Sequence, residues 1–102
     1  MAVRKYTKKD ISREVASRLG QNLSLTHNMV SETFTVMREM LSQNSSNIRI
    51  EVRNFGTFSV KPTKAKPRAR NPRTNEEIYV PPHRKTHFKP GRVLKKKMQE
   101  PL

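Results

Sequence analysis

The stretch from Lys61 to Glu77, KPTKAKPRARNPRTNEE, limits the folds open to this chain more than any other feature. It contains no aliphatic residue larger than alanine, so it cannot contribute to a hydrophobic core. Prolines recur at positions 62, 67 and 72, while residues 48–60 and 78–80 on either side have the composition of strands. We therefore predict an arm at about 61–77 that leaves the body of the protein to hold a polyanion. Its cations are Lys61, Lys64, Lys66, Arg68, Arg70 and Arg73.

The charge of the whole chain supports the same kind of partner. The formal net charge is +14 over 102 residues, with a pI near 11.0. A field of this sign and size concentrates polyanions, most often nucleic acid. An anionic membrane surface is the competing partner, but the cations do not lie opposite a large apolar helical face.

Length, cysteine content and hydropathy limit the class further. The chain has no cysteine, which excludes a disulfide framework or a thiolate metal site and is compatible with a reducing compartment. It shows neither the apolar core of a signal peptide nor an apolar run of transmembrane length. We expect a soluble cytoplasmic protein with a single domain over residues 1–102.

Two helices are predicted before the strands. Thr7 with Asp10 three residues later resembles a capping box, apolar residues follow at helical spacing, and Gly20 is a plausible C-terminal cap. These features predict a first helix over 8–19. Ser24 is the predicted N-cap of a second helix, roughly 25–43, which completes a helical base over 7–43.

The second helix carries more apolar surface than one small neighbour can cover. One row contains Val30, Phe34, Met37 and Leu41, and an overlapping row contains Met29, Val36 and Met40. A helix with so wide an apolar arc needs cover on two sides. The first helix can supply one side, and we expect a second copy of the chain to supply the other.

The remaining residues predict a sheet, its arm and a final helix. Residues 48–52 alternate in strand fashion, and Asn54-Phe55-Gly56 is predicted as a tight turn, since Asn and Gly tolerate positive φ. Pro62 and Pro67 are an odd number of residues apart, so in an unbroken ladder one of them would occupy an inward position that requires an N–H donor. This predicts a break or bulge in the ladder between them. Residues 70–75 form the predicted turn at the tip, where Asn75 is able to adopt a left-handed conformation. The sheet and arm are expected over 48–82, followed by HRKTH as a polar connection and a short helix at about 91–98.

The sequence gives little support to the hypotheses that the protein is an enzyme or binds a metal ion. His83 and His87 are four residues apart, which would bring them together only in a helix, and no third ligand accompanies them. The carboxylates are dispersed, and no nucleophile motif is present. We expect a protein without enzymatic activity, cofactor, metal or small-molecule substrate.

Three segments, FGTF at 55–58, ARNPRTNEE at 69–77 and FKPGRVLKK at 88–96, resemble the HU / integration host factor family of bacterial histone-like DNA-bending proteins. Their order and spacing match the family over roughly residues 6–98. The resemblance implies an α+β fold: two N-terminal helices, an antiparallel β-sheet with a long β-ribbon arm, and a short C-terminal helix. It also implies an intertwined homodimer, or a heterodimer with a paralogue.

The resemblance also implies roles for particular residues. Pro72 would be the wedge at the arm tip that stacks between base pairs in the minor groove, with Arg70, Asn71 and Arg73 beside it. The N-terminus of the first helix and the basic side chains of the last would meet backbone phosphate. The expected DNA-binding set is Lys61, Lys64, Lys66, Arg68, Arg70, Asn71, Pro72, Arg73, Lys89, Arg92, Lys95, Lys96, Arg53, Thr7 and Lys8. The expected dimer core is Phe34, Met37, Leu41, Phe55, Phe58 and Phe88.

The sequence departs from the family pattern in the arm. Ala69 stands before the Arg-Asn-Pro triplet and Asn75 follows Thr74, where glycines are common, and the arm is one residue longer than in many members. The leading functional hypothesis is a nucleoid protein that bends double-stranded DNA with little sequence preference. A site-specific bender like integration host factor is the alternative within the family, and a small basic ribosomal or RNA-binding protein is the alternative outside it.

Overall fold

The computed structural model describes residues 2–102, apart from the side chains at positions 66, 67 and 69. The elements are α1 (Lys8–Leu19), α2 (Leu23–Leu41), β1 (Ile48–Val52), β2 (Gly56–Pro62), β3 (Lys66–Arg70), β4 (Glu77–Val80), β5 (Arg84–Pro90) and α3 (Arg92–Met98). This order confirms the predicted α+β class. The chain divides into two compact units, a helical unit that ends at Met40 and a sheet unit from Leu41 to Leu102.

Helix α1 has the limits and the caps that the sequence predicts. The Thr7 N–H donates to Asp10 Oδ2 at 2.8 Å, and Thr7 Oγ1 accepts from the Asp10 N–H at 3.5 Å. The bond from the Thr7 N–H, then that from the Thr7 hydroxyl, lowers the pKa of the Asp10 carboxyl, and nearby Arg13 acts in the same direction. Gly20 ends the helix at φ 61°, the left-handed conformation that glycine adopts readily.

The predicted start and end of α2 were both wrong by about one half-turn. The helix begins at Leu23 and ends at Leu41, so Ser24 lies inside its first turn instead of capping it. Asn22 is the cap, because its Oδ1 accepts from the Leu25 N–H at 3.0 Å. Asn and Ser are comparable N-caps, and the sequence offered both within three residues.

The two helices of the helical unit meet through small side chains. Ser12, Ala16 and Thr26 are all buried. The Ser12 hydroxyl donates to the Lys8 carbonyl at 2.7 Å and lies 3.2 Å from His27 Nδ1. Because Ser12 also bonds its own helix backbone, its polar atom is satisfied although fully buried.

The sheet unit contains a three-stranded antiparallel sheet in the order β1-β2-β5. Phe58 on the central strand pairs with Ile50 on one side and Phe88 on the other, so these three residues share an apolar face. The predicted polar connection HRKTH was wrong, because residues 84–87 belong to β5 and the sheet continues to Pro90. The side chains of β5 before Phe88 are exposed and polar, so the sequence does not show the alternation of apolar and polar residues that is typical of a strand.

The turn between β1 and β2 is held close against β5. Phe88 lies 5.3 Å from Phe55 and 4.7 Å from Phe58 between ring centroids. The predicted tight turn is present: Asn54 has φ 65°, whereas Gly56 does not adopt positive φ. Gly56 is needed for close approach instead: a Cβ there would lie 2.5 Å from the Lys89 carbonyl oxygen and 2.7 Å from the Phe88 ring.

The chain leaves much of its apolar surface uncovered. Among the side chains that the structure describes, the buried hydrophobic residues are Ala16 and Val60. On α2, Met29, Val36 and Met40, the whole of the second predicted row, are exposed by 54%, 37% and 44%. A core this small is unusual for a chain of 102 residues that folds alone.

Candidate nucleic-acid interface

The arm is a separate two-stranded ribbon made of β3 and β4. The ladder of the body sheet ends at the Pro62–Arg84 pair, and the ladder of the arm starts at the Lys66–Val80 pair. Residues 63–65 and 81–83 lie between them outside any strand, which confirms the predicted break after Pro62. A second irregularity follows in β3, where the register shifts by one residue between positions 66 and 69.

The tip of the arm is a turn closed by hydrogen bonds from two asparagines. The Asn71 N–H donates to the Glu76 carbonyl at 2.9 Å, and the Asn75 N–H donates to the Asn71 carbonyl at 2.7 Å. Asn71 Oδ1 accepts from the Arg73 N–H at 2.9 Å, an Asx turn around Pro72. Asn75 has φ 60°, so it adopts the left-handed conformation, which asparagine tolerates better than most residues other than glycine.

These bonds present Pro72 at the end of the ribbon with its ring exposed. Arg70 is held behind it, because its guanidinium donates to Asn75 Oδ1 at 3.2 Å and lies 3.8 Å from Glu77 Oε1. The Arg73 side chain, next to the proline in the chain, is exposed. The tip therefore combines a rigid apolar ring without a donor and two flanking guanidinium groups.

A second basic surface lies on the body, on the sheet face opposite Phe58. A concavity is lined there by Thr57 and Ser59 of β2 and by side chains from β1, β5 and α3. Pairing of Thr57 with Lys89 and of Ser59 with His87 places β2 and β5 side chains on this one face. We call this surface the basic concavity; its basic residues are Arg49, Lys61, His87, Lys89 and Arg92.

The basic concavity contains two residues for which the sequence predicted no role in DNA binding. Arg49 lies within the predicted strand over 48–52 and was given no function, and His87 was placed in a connection. The alternation of β1 already separates Arg49 from Ile48 and Ile50, so this residue could have been found. His87 required the register of β5 against β2, which composition does not reveal.

The other predicted DNA-binding residues are distributed over both units. Lys64 lies in the break of the ladder, Arg68 in β3, Arg53 in the β1–β2 turn, and Lys95 and Lys96 in α3, all with exposed side chains. The Lys66 side chain lies outside the described part of the chain. Thr7 and Lys8 belong to the helical unit, where Lys8 Nζ donates to Ser31 Oγ at 3.2 Å.

The residues predicted for a dimer core fall into two groups. Phe55, Phe58 and Phe88 form the aromatic cluster of the sheet unit, yet Phe55 stays 45% exposed. Phe34 of α2 is 41% exposed, and Met37 and Leu41 are half-buried. Large aromatic side chains left this open are typical of surfaces that a partner covers.

His83 and His87 do not form the pair that a helix would have produced. The backbone there is extended, and four residues of extended chain span about 13 Å. Across the described side chains, no group of three potential metal ligands comes together. None of the helices in the described residues is long and apolar enough to cross a membrane.

A small α+β fold with a cationic two-stranded arm and a basic sheet face defines a protein built to hold a polyanion. Comparison with known sequences gives this class its family. The family model of the bacterial DNA-binding proteins matches residues 6–99. The chain belongs to this family, whose members are architectural DNA-binding proteins and not enzymes.

Individual relatives agree with the family. The chain is 34% identical over 93 residues to integration host factor subunit alpha of Marinobacter nauticus, with 91% of this chain and 89% of that protein covered. It is also 34% identical over 93 residues to integration host factor subunit beta of Halorhodospira halophila, with 90% and 87% covered. The HU chain in a cocrystal structure of Anabaena HU with DNA shares the fold at a TM-score of 0.80 and 24% identity, covering 94% of this chain and 100% of that chain.

Proposed function

We propose that the protein acts as a dimer that bends double-stranded DNA, binding the minor groove with little sequence preference and inserting Pro72 at each arm tip. The observation that carries the proposal is the exposed Pro72 ring at the end of a cationic ribbon, in a turn closed by Asn71 and Asn75. Minor-groove architectural proteins, of which HU and integration host factor are established examples, insert such apolar wedges between base steps.

The residues around Pro72 suit this role. A proline ring can lie against an unstacked base step without leaving a donor unsatisfied. Arg70 and Arg73 would lie where the groove has its most negative potential. The minor-groove pattern of donors and acceptors is degenerate, so arginines there distinguish sequences poorly. This favours binding without strong sequence preference. We propose that the protein is a nucleoid protein of the bacterial cytoplasm.

The basic concavity would supply affinity. Lysine and arginine side chains release counterions when they contact phosphates, and this term dominates sequence-independent binding. Contacts of this kind on the body offset the cost of unstacking at the tips, which is about a few kcal/mol per step. We propose that the DNA meets the basic concavity and the arm of the same chain, with Thr7, Lys8, Lys95 and Lys96 at further phosphates.

The dimer is supported by the uncovered apolar surface. Met29, Val36 and Met40 form one exposed row on α2, and Phe55 is nearly half exposed in the sheet unit. Light scattering at micromolar concentration is expected to give twice the chain mass. A stable, folded monomer under those conditions would contradict this part of the proposal. A mixed dimer with a paralogue would appear as a second chain in material purified from the native cell.

A site-specific bender is the second candidate, because relatives that match over most of the chain are integration host factor subunits. Selection from a pool of randomised duplexes separates the two. Absence of an enriched motif at moderate salt supports the non-specific protein, and a strongly enriched motif supports the site-specific one. RNA duplexes of equal length serve as the control, and preference for RNA would refute both forms.

A further inference from the structure

The joint between the body sheet and the arm, residues 63–65 and 81–83, contains a specific contact. Counting along both strands keeps the register unchanged from Pro62–Arg84 to Lys66–Val80, so Thr63 faces His83 across the joint. Pro81 and Pro82 have no N–H to donate, which prevents a regular ladder through this point. Within the joint, the cross-strand hydrogen bonds that the structure describes are those between Thr63 and His83.

The contact between these residues is a closed set of hydrogen bonds. The Thr63 N–H donates to the His83 carbonyl at 2.7 Å, and the His83 N–H donates to Thr63 Oγ1 at 3.2 Å. The threonine hydroxyl donates to the His83 carbonyl at 3.1 Å. His83 Nδ1 lies 3.1 Å from the Pro81 carbonyl oxygen, which can only accept, so a hydrogen bond between them uses the tautomer with the proton on Nδ1. Nδ1 also lies 3.0 Å from Thr63 Oγ1.

The body side of the joint is fixed by the next residue. The Arg84 guanidinium donates to the carbonyls of Gln43 and Ser45 in the loop between α2 and β1. The first residue of β5 is thereby tied to a second element of the sheet unit. The joint therefore starts from a fixed strand end, and residues 63–65 and 81–83, which include the Thr63–His83 contact, connect that end to the arm.

We propose that Thr63 and His83 form a clasp that sets the direction of the arm before DNA is bound, which makes Thr63 a positioning residue for bending. The threonine hydroxyl replaces the backbone acceptor that a regular strand pair would offer to the His83 N–H. An arm held in one direction has less freedom to lose on binding, which is the general advantage of preorganisation. The consequence for bending rests on the proposed function, whereas the clasp itself does not.

The free protein tests the clasp directly. Thr63→Val removes the hydroxyl at nearly constant shape, so the His83 amide is expected to exchange with solvent about three- to tenfold faster, as loss of one net hydrogen bond implies. Thr63→Ser retains the hydroxyl and is expected to exchange like the wild type. Thr86→Val in β5 is the matched control for loss of an exposed threonine hydroxyl. An unchanged His83 amide in Thr63→Val would overturn the clasp.

A second pair of variants tests the histidine. His83→Leu removes the Nδ1 donor, while His83→Asn keeps an N–H donor within reach of the Pro81 carbonyl. Faster backbone motion of residues 66–80 in His83→Leu, measured by ¹⁵N relaxation, and recovery in His83→Asn support the clasp. Identical arm motion in all variants would overturn it, and circular dichroism confirms that each variant is folded.

DNA supplies the functional readout. Thr63→Val is expected to bind a duplex with affinity within about twofold of wild type, since the phosphate contacts are intact. At saturation, it is expected to give a broader distribution of end-to-end fluorescence transfer than the wild type. A distribution as narrow as that of the wild type would overturn the positioning role. Absence of bending by the wild type would refute the proposed function and leave the amide-exchange result to decide the clasp.

Discussion

Loss of two lysines from the basic concavity is expected to change the salt dependence of DNA binding by a calculable amount. Lys61 of β2 and Lys89 of β5 line this surface, and neither forms an ion pair among the described side chains. Each phosphate contact contributes about −0.9 to the slope of log K against log salt. Lys61→Gln/Lys89→Gln should therefore reduce the slope by about 1.8 per chain, or about 3.6 for a dimer that uses both copies.

Fluorescence anisotropy with a labelled random duplex, at several salt concentrations, measures that slope. Between 50 and 200 mM salt the wild type is expected to lose on the order of a hundredfold more affinity than the double variant. Arg18→Gln/Arg38→Gln is the matched control, because it removes the same charge from the helical unit. An equal change of slope in both double variants would show that net charge alone, and not contact at the basic concavity, controls binding.

Three further predictions concern the fold. Gly56→Ala should lower the free energy of unfolding by about 1–3 kcal/mol in urea titrations, because its Cβ would meet backbone; equal stability would refute the close approach. Asp10→Asn should lower the melting temperature near neutral pH. Because folding lowers the pKa of Asp10, the difference from wild type should disappear as the pH falls through that pKa, and a constant difference would contradict the cap. Asn75→Val should speed exchange of the Asn71 amide more than Asn75→Gly does, since only valine opposes positive φ.

The sequence predicted elements whose signals are local. Helix α1 follows from a capping box and a terminal glycine, and the arm follows from a stretch without core residues. The left-handed Asn75 was predictable because asparagine is among the few residues that tolerate this conformation. The break after Pro62 followed from the odd spacing of Pro62 and Pro67. One of them would face inward in a regular ladder, where proline has no N–H to donate.

The features that the sequence did not predict depend on pairing across distance. Strand β5 has few apolar side chains, and it becomes recognisable only from its register with β2. The basic concavity depends on that register, because His87 and Lys89 reach the face of Lys61 only through β5. The role of Gly56 was also missed, since the ring and carbonyl that crowd it come from residues more than thirty positions away.

Bending of a short duplex by the wild type and by Pro72→Ala tests the central proposal most directly. Donor and acceptor dyes at the two ends report the bend by fluorescence transfer, and anisotropy under the same conditions reports the affinity. Because charge supplies most of the affinity, Pro72→Ala is expected to bind within about threefold of wild type and to bend much less. Equal fluorescence transfer by the two proteins at saturation would contradict the wedge.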